Sequence, residues 1–148
     1  MRRNPASHVT QANESDLQLI CRKTLLGVGM QAIAEAVALG QKAGLNRERL
    51  LEVLSQTAVI AQAHVGKLAG AAINDYSPQF PLRLMNKDFK LILEAAAQEN
   101  IFMPATVAAF RANSDELAHD EEEDFSAVLR RMEEVAGLAT IDLDPVTS

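Results

Sequence analysis

The residues most able to do chemistry are three histidines, a lone cysteine and a dense run of carboxylates. His119 stands among Asp115, Glu116, Asp120, Glu121, Glu122, Glu123 and Asp124, a composition that would suit a divalent cation. A metal needs several ligands converging on one point, whereas adjacent acids on a turn point in all directions. The run therefore reads as a solvated loop whose last carboxylates favour the N-terminus of the next helix, and no metal site is expected. His64 falls on an Ala-rich helical stretch and reads as packed or exposed without a role, and His8 lies in a polar opening segment. Serine, histidine and aspartate all occur, but nothing resembling a nucleophile elbow places them for a triad. Cys21 sits in an apolar helical pattern with no second cysteine or histidine beside it, so it can close no intramolecular disulfide. A reducing, cytoplasmic setting is the simplest expectation.

The elements that would position these residues follow from apolar periodicity. Residues 1–13 carry Pro, Ser, Thr and Asn without periodicity and read as a flexible leader. From Glu14 onward, Leu17, Ile20, Cys21, Leu25, Val28, Ile33, Ala36, Val37 and Leu39 recur at helical spacing until Gly44 supplies a stop. Gly27 and Gly29 in the middle of this long helix cost helix stability but remove bulk, so another backbone, including that of a second copy, could approach there. Asn46 is a good N-cap for a short second helix carrying Leu50, Leu51, Val53 and Leu54, which ends near Ser55 and Thr57. Val59 to Ile73 reads as a third helix, and Asn74-Asp75-Tyr76-Ser77-Pro78 as a turn.

A fourth helix places Leu82, Met85, Phe89, Ile92, Leu93 and Ala96 on one face and runs to about Glu99, with Asn100 breaking it. Pro104 suits the first turn of a fifth, with Val107, Phe110 and Leu117 facing inward. Phe125, Val128, Leu129, Met132 and Val135 build a last helix, ended by Gly137, and residues 139–148 read as an irregular tail. Strict apolar–polar alternation is missing and aromatics are only 4%, so the expected fold is all-α: a helical bundle with one long N-terminal helix and about five further helices over residues 14–138.

Composition bounds the function. At 148 residues and 48% hydrophobic, the chain has the material for one sizeable core. A net charge of −6 argues against a general affinity for nucleic acid or anionic lipid. No apolar stretch is long enough to span a bilayer, so no membrane association is expected.

Several segments, in order, resemble the C-terminal helical domain of the β-hydroxyacid dehydrogenases of the 3-hydroxyisobutyrate dehydrogenase-like family. They are Ala34-Glu35-Ala36-Val37-Ala38-Leu39, Lys42-Ala43-Gly44-Leu45, Phe80-Pro81-Leu82 leading into Lys87-Asp88-Phe89, Pro104, and Asp124-Phe125-Ser126-Ala127. Each alone is weak, and their shared order from about Leu19 to Gly137 is specific. The fold this implies is that of the C-terminal domain of 6-phosphogluconate and 3-hydroxyisobutyrate dehydrogenases. In that domain the long first helix follows a Rossmann domain, and the helical surface closes the substrate cleft.

The resemblance also implies where chemistry should sit. The family's catalytic Lys precedes the Glu matched by Glu35 by sixteen residues in a K-x-x-N-N pattern, which lands on Leu19, with the paired Asn positions on Arg22 and Lys23. A Leu cannot donate a proton, so no catalytic residue is assigned; Lys23, one turn further along the same face, is the only substitute. Lys87 matches a family Lys that faces cofactor and substrate, although a solvent-facing Lys paired with an acid explains it equally.

The sequence has no G-x-G-x-x-G after a strand, so no cofactor is expected to bind the chain alone, and NAD or NADP only with a Rossmann partner. The function implied is the substrate-side and dimerisation domain of an NAD(P)-dependent oxidoreductase, not catalytically competent alone. It would be a homodimer or the partner of a separate Rossmann subunit. The alternative is a non-enzymatic helical interaction module derived from that domain.

Overall fold

The computed structural model describes residues 13–138. The expected leader and tail, apart from Asn13, lie outside them. Asn13 belongs to the first helix as its N-cap: its side chain accepts from the Asp16 amide at 2.9 Å while the Asp16 carboxylate accepts from the Asn13 amide, a reciprocal box that satisfies two otherwise orphaned donors. Helix α1 spans Glu14–Lys42. It stops at Gly44, whose φ of 103° only glycine adopts cheaply, and the Leu45 amide returns to the Gly40 carbonyl at 3.0 Å.

Helix α2 covers Arg47–Ser55, capped by Asn46, and α3 covers Gln62–Ala72. The third helix thus begins three residues later than the apolar pattern suggests. Ser55 and Thr57 turn their hydroxyls onto the carbonyls of Glu52 and Leu54, which closes α2 and leaves Val59 86% exposed. Helix α4 runs Leu82–Gln98 and α5 Pro104–Leu117; a 3-10 turn, Phe125–Ala127, leads into α6, Val128–Val135. The six α-helices match the all-α expectation, and among the described residues the only β feature is an isolated bridge between Pro81 and Asp124.

The core lies where α1 meets α4, α5 and α6, and is filled by Met30, Val37, Leu82, Met85, Phe89 and Leu129. Gly27 and Gly29 of α1 serve it in a way the sequence did not indicate. A Cβ on Gly27 would sit 2.5 Å from Phe89 Cζ and 2.7 Å from Met85 Cε, and one on Gly29 would sit 2.7 Å from the His64 ring. Side chains of α4 and α3, not a second backbone, occupy these notches.

The inward face of α5 is Thr106, Ala109, Asn113 and Glu116, with Val107, Phe110 and Leu117 only partly buried. Polar residues hold this face because each charged or amide group finds a partner: Asn113 donates to the Leu82 carbonyl and Glu116 accepts from Arg130. Leu17, Leu25, Leu39, Val53 and Val135, all members of the apolar patterns, are exposed instead.

Candidate functional site

The first turns of α1 and the start of α3 enclose a groove of about 380 Å³. Leu19, Leu25 and Leu26 of α1 form one wall, Ala61 and Ala63 the other, and the His64 ring closes one end. His64 is buried and its Nε2 lies 2.9 Å from the Leu26 carbonyl. A carbonyl only accepts, so Nε2 carries the proton and is committed to the helix. Gly29 makes this placement possible by leaving room for the ring.

Leu19 lines the groove and is 48% exposed. Lys23 lines it one turn further along, with its ammonium 3.6 Å from Asp88 Oδ2 and 3.6 Å from the centre of the Phe80 ring, so that it is held by an ion pair and a cation–π contact at once. Lys87 is exposed on α4 and does not line the groove; its neighbour Asp88 is the residue that ties α4 to α1. Arg22 is exposed at the rim. Cys21 is exposed. A Lys at the Leu19 position would face the same space with a proton to give; the Leu offers only apolar surface.

The acidic run is not one solvated loop. His119 and Asp120 are exposed, but Asp124 is 2% exposed and is a four-way tie. Its Oδ2 accepts from Lys67 Nζ at 2.7 Å and from the amides of Gln79 and Phe80, and its Oδ1 accepts from the Ser126 amide. Burial pushes this carboxyl up, but Lys67, the Phe80 amide and Ser126 outweigh it and hold the group below the usual carboxylate range. Glu116, 1% exposed, goes the other way: burial raises it, against the pull of Arg130.

Arg130 gathers Glu116 and Glu123, and its guanidinium lies 5.0 Å over the Tyr76 ring. Arg47 pairs with the buried Glu133 at 2.6 Å, which Gln41 also reaches. These networks pin α6 and the 74–81 loop to the rest of the bundle. Lys67, the one cation of α3, is the sequence signal that could have found the Asp124 tie; the Arg130 and Arg47 networks have no comparable signal. Among the described residues no three His, Cys, Asp or Glu side chains are placed to hold a metal ion.

The described residues include no strand, and so no strand–turn–helix to seat a dinucleotide pyrophosphate. What the groove offers is apolar contact, two cations at its rim and no free proton donor at Leu19 or His64.

A family model described as the NAD-binding part of NADP-dependent 3-hydroxyisobutyrate dehydrogenase matches residues 20–132. The 2-(hydroxymethyl)glutarate dehydrogenase of Eubacterium barkeri is 31% identical over 134 residues, covering 89% of this chain and 44% of that protein. The 3-hydroxyisobutyrate dehydrogenase of Pseudomonas aeruginosa is 33% identical over 131 residues, covering 82% and 44%. Among solved structures, a Mycobacterium tuberculosis 3-hydroxyisobutyrate dehydrogenase with L-serine superposes with a TM-score of 0.70 at 29% identity, over 79% of this chain and 43% of that one. The chain spans less than half the length of these relatives. With the matched stretch running from the groove-lining part of α1 through the Asp124 tie into α6, the chain belongs to the 3-hydroxyisobutyrate dehydrogenase family, in its helical C-terminal part.

Proposed function

We propose that the chain is the helical substrate-side and dimerisation domain of an NAD(P)-dependent β-hydroxyacid dehydrogenase-like oxidoreductase, and that these 148 residues do not catalyse hydride transfer by themselves. The observation that carries this reading is Leu19, an apolar residue facing the groove at the position where the family resemblance calls for a Lys. Lys23 is a poor replacement because Asp88 and Phe80 hold its ammonium, and catalytic placement tolerates little displacement. Lys87, exposed beside Asp88, would meet a nicotinamide only if a Rossmann domain were docked over α4.

Calorimetric titration of the 148-residue chain with NADH and NADPH tests the proposal, together with a turnover assay on 3-hydroxyisobutyrate. No turnover and no submicromolar nucleotide binding are expected. Measurable turnover would overturn the proposal. Adding a separately made Rossmann domain of the family tests assembly in trans, where nucleotide binding should appear with the complex.

The replacement of the Lys and both Asn positions by Leu19, Arg22 and Lys23 also favours a second reading, a helical interaction module that kept the fold without the chemistry. Nucleotide binding on assembly with a Rossmann domain separates the two, since the module reading expects none. Under either reading the chain pairs with a second copy and acts in the cytoplasm. No described helix is long and apolar enough to cross a membrane. Gly27 and Gly29 are filled by the chain's own side chains, so a second copy would not pair through those notches.

A further inference from the structure

The groove runs against the charge of the whole molecule. The chain carries −6, yet among the described residues no carboxylate lines the groove and its charged lining side chains are Arg22 and Lys23. These two cations are not equivalent. Lys23 is engaged by Asp88 and the Phe80 ring, whereas Arg22 is exposed and has no ion pair or hydrogen-bond partner among the described side chains. Beneath it, Leu19, Leu25 and Leu26 face Ala61 and Ala63, so most of the lining is aliphatic. A volume of about 380 Å³ falls in the range of small-molecule sites.

We propose that the groove binds a free aliphatic monocarboxylate of medium chain length, with the chain lying along Leu19, Leu25 and Leu26 and the carboxylate taken by the Arg22 guanidinium. The proposal rests on reading the groove as the substrate side of the domain, and it replaces proton transfer there by retention of an apolar anion. The guanidinium fork matches a carboxylate in two parallel N–H···O bonds. The aliphatic walls supply the rest. Fully burying one methylene is worth roughly a fourfold gain in affinity, and an open groove that covers one side of the chain should return about twofold. Leu19 contributes directly, since a Lys there would replace aliphatic wall by a solvated ammonium.

The test is a titration of the full 148-residue chain with hexanoate, octanoate and decanoate below their micelle concentrations, read by calorimetry and by the methyl resonances of Leu19 and Leu25. Affinity should rise about fourfold from each acid to the next, and octanol should bind at least fivefold more weakly than octanoate. Arg22→Gln, on an exposed position, should keep the helical circular-dichroism spectrum, lose at least fivefold for octanoate and change octanol little. Leu19→Lys should flatten the dependence on chain length. The proposal is overturned if affinity does not depend on chain length, if Arg22→Gln binds octanoate as the parent does, or if the Leu19 and Leu25 methyls do not move. Turnover of a hydroxyacid by the isolated chain would sink the domain reading instead, and would leave the octanoate titration as it was.

Discussion

Tyr76 is the only tyrosine in a chain without tryptophan, so its ionisation can be read directly in near-UV absorbance. It is 5% exposed and its hydroxyl has no hydrogen-bond partner among the described residues. Burial first, and then Glu133, push the phenol up to about 12, against the opposing pull of Arg47 and Arg130. The unfolded phenol ionises near its ordinary value of about 10. The native state therefore holds the proton more tightly, and the stability this contributes is complete below about pH 10 and is lost as pH rises towards about 12. The native absorbance midpoint should fall near 12 and drop by about two units in denaturant; a native midpoint near 10 would place the ring in water. Asp124 has the opposite sign. Its folded value is depressed by Lys67 and backbone amides, so its contribution is present above the unfolded carboxylate range and is lost as pH falls through the folded value. Lys67→Met strands this buried carboxylate and should cost about 3 kcal/mol at pH 7 by urea denaturation. The cost should shrink as pH falls and Asp124 takes up a proton.

Helix α1 shows how packing overrides propensity. Gly27→Ala would gain up to about 1 kcal/mol of helix propensity, but its methyl would lie 2.5 Å from the ring of Phe89, a side chain only 1% exposed. Overpacking of that kind costs about 1–3 kcal/mol, so the variant should be less stable by urea midpoint with unchanged helicity. A stabilised Gly27→Ala would mean that Phe89 can move. The same helix marks the limit of what its sequence discloses. The helices themselves were legible, because Asn46, Gly44, Asn100, Pro104 and Gly137 punctuate them through local backbone physics. The facing of α5 was not, since Asn113 and Glu116 look like surface residues until Leu82 and Arg130 supply their partners. In the groove, Leu19 and Lys23 were legible through the family pattern. His64 was not, because its burial depends on Gly29, thirty-five residues earlier, leaving a ring-sized gap.

At the scale of the whole molecule, the apolar surface exceeds what one copy buries. Leu25, Ala32, Ala36 and Leu39 are all exposed, with the two leucines at 73% and 72%. Their spacings of seven, four and three residues bring them to one stripe of α1, the pattern of a helix that meets another helix. Leu25 lies seven residues before Ala32 and Leu39 seven after, so an antiparallel copy centred on Ala32 would set Leu25 of one chain opposite Leu39 of the other. Such self-matching is what a two-fold interface requires. The 148-residue chain should therefore show a dimer mass in light scattering at micromolar concentration. Ala36→Glu combined with Leu39→Glu would put two carboxylates into that seam. The double variant should run as a monomer with unchanged helicity. A monomeric parent chain would remove the pairing from the proposed function, and a double variant that stays dimeric would move it to another face.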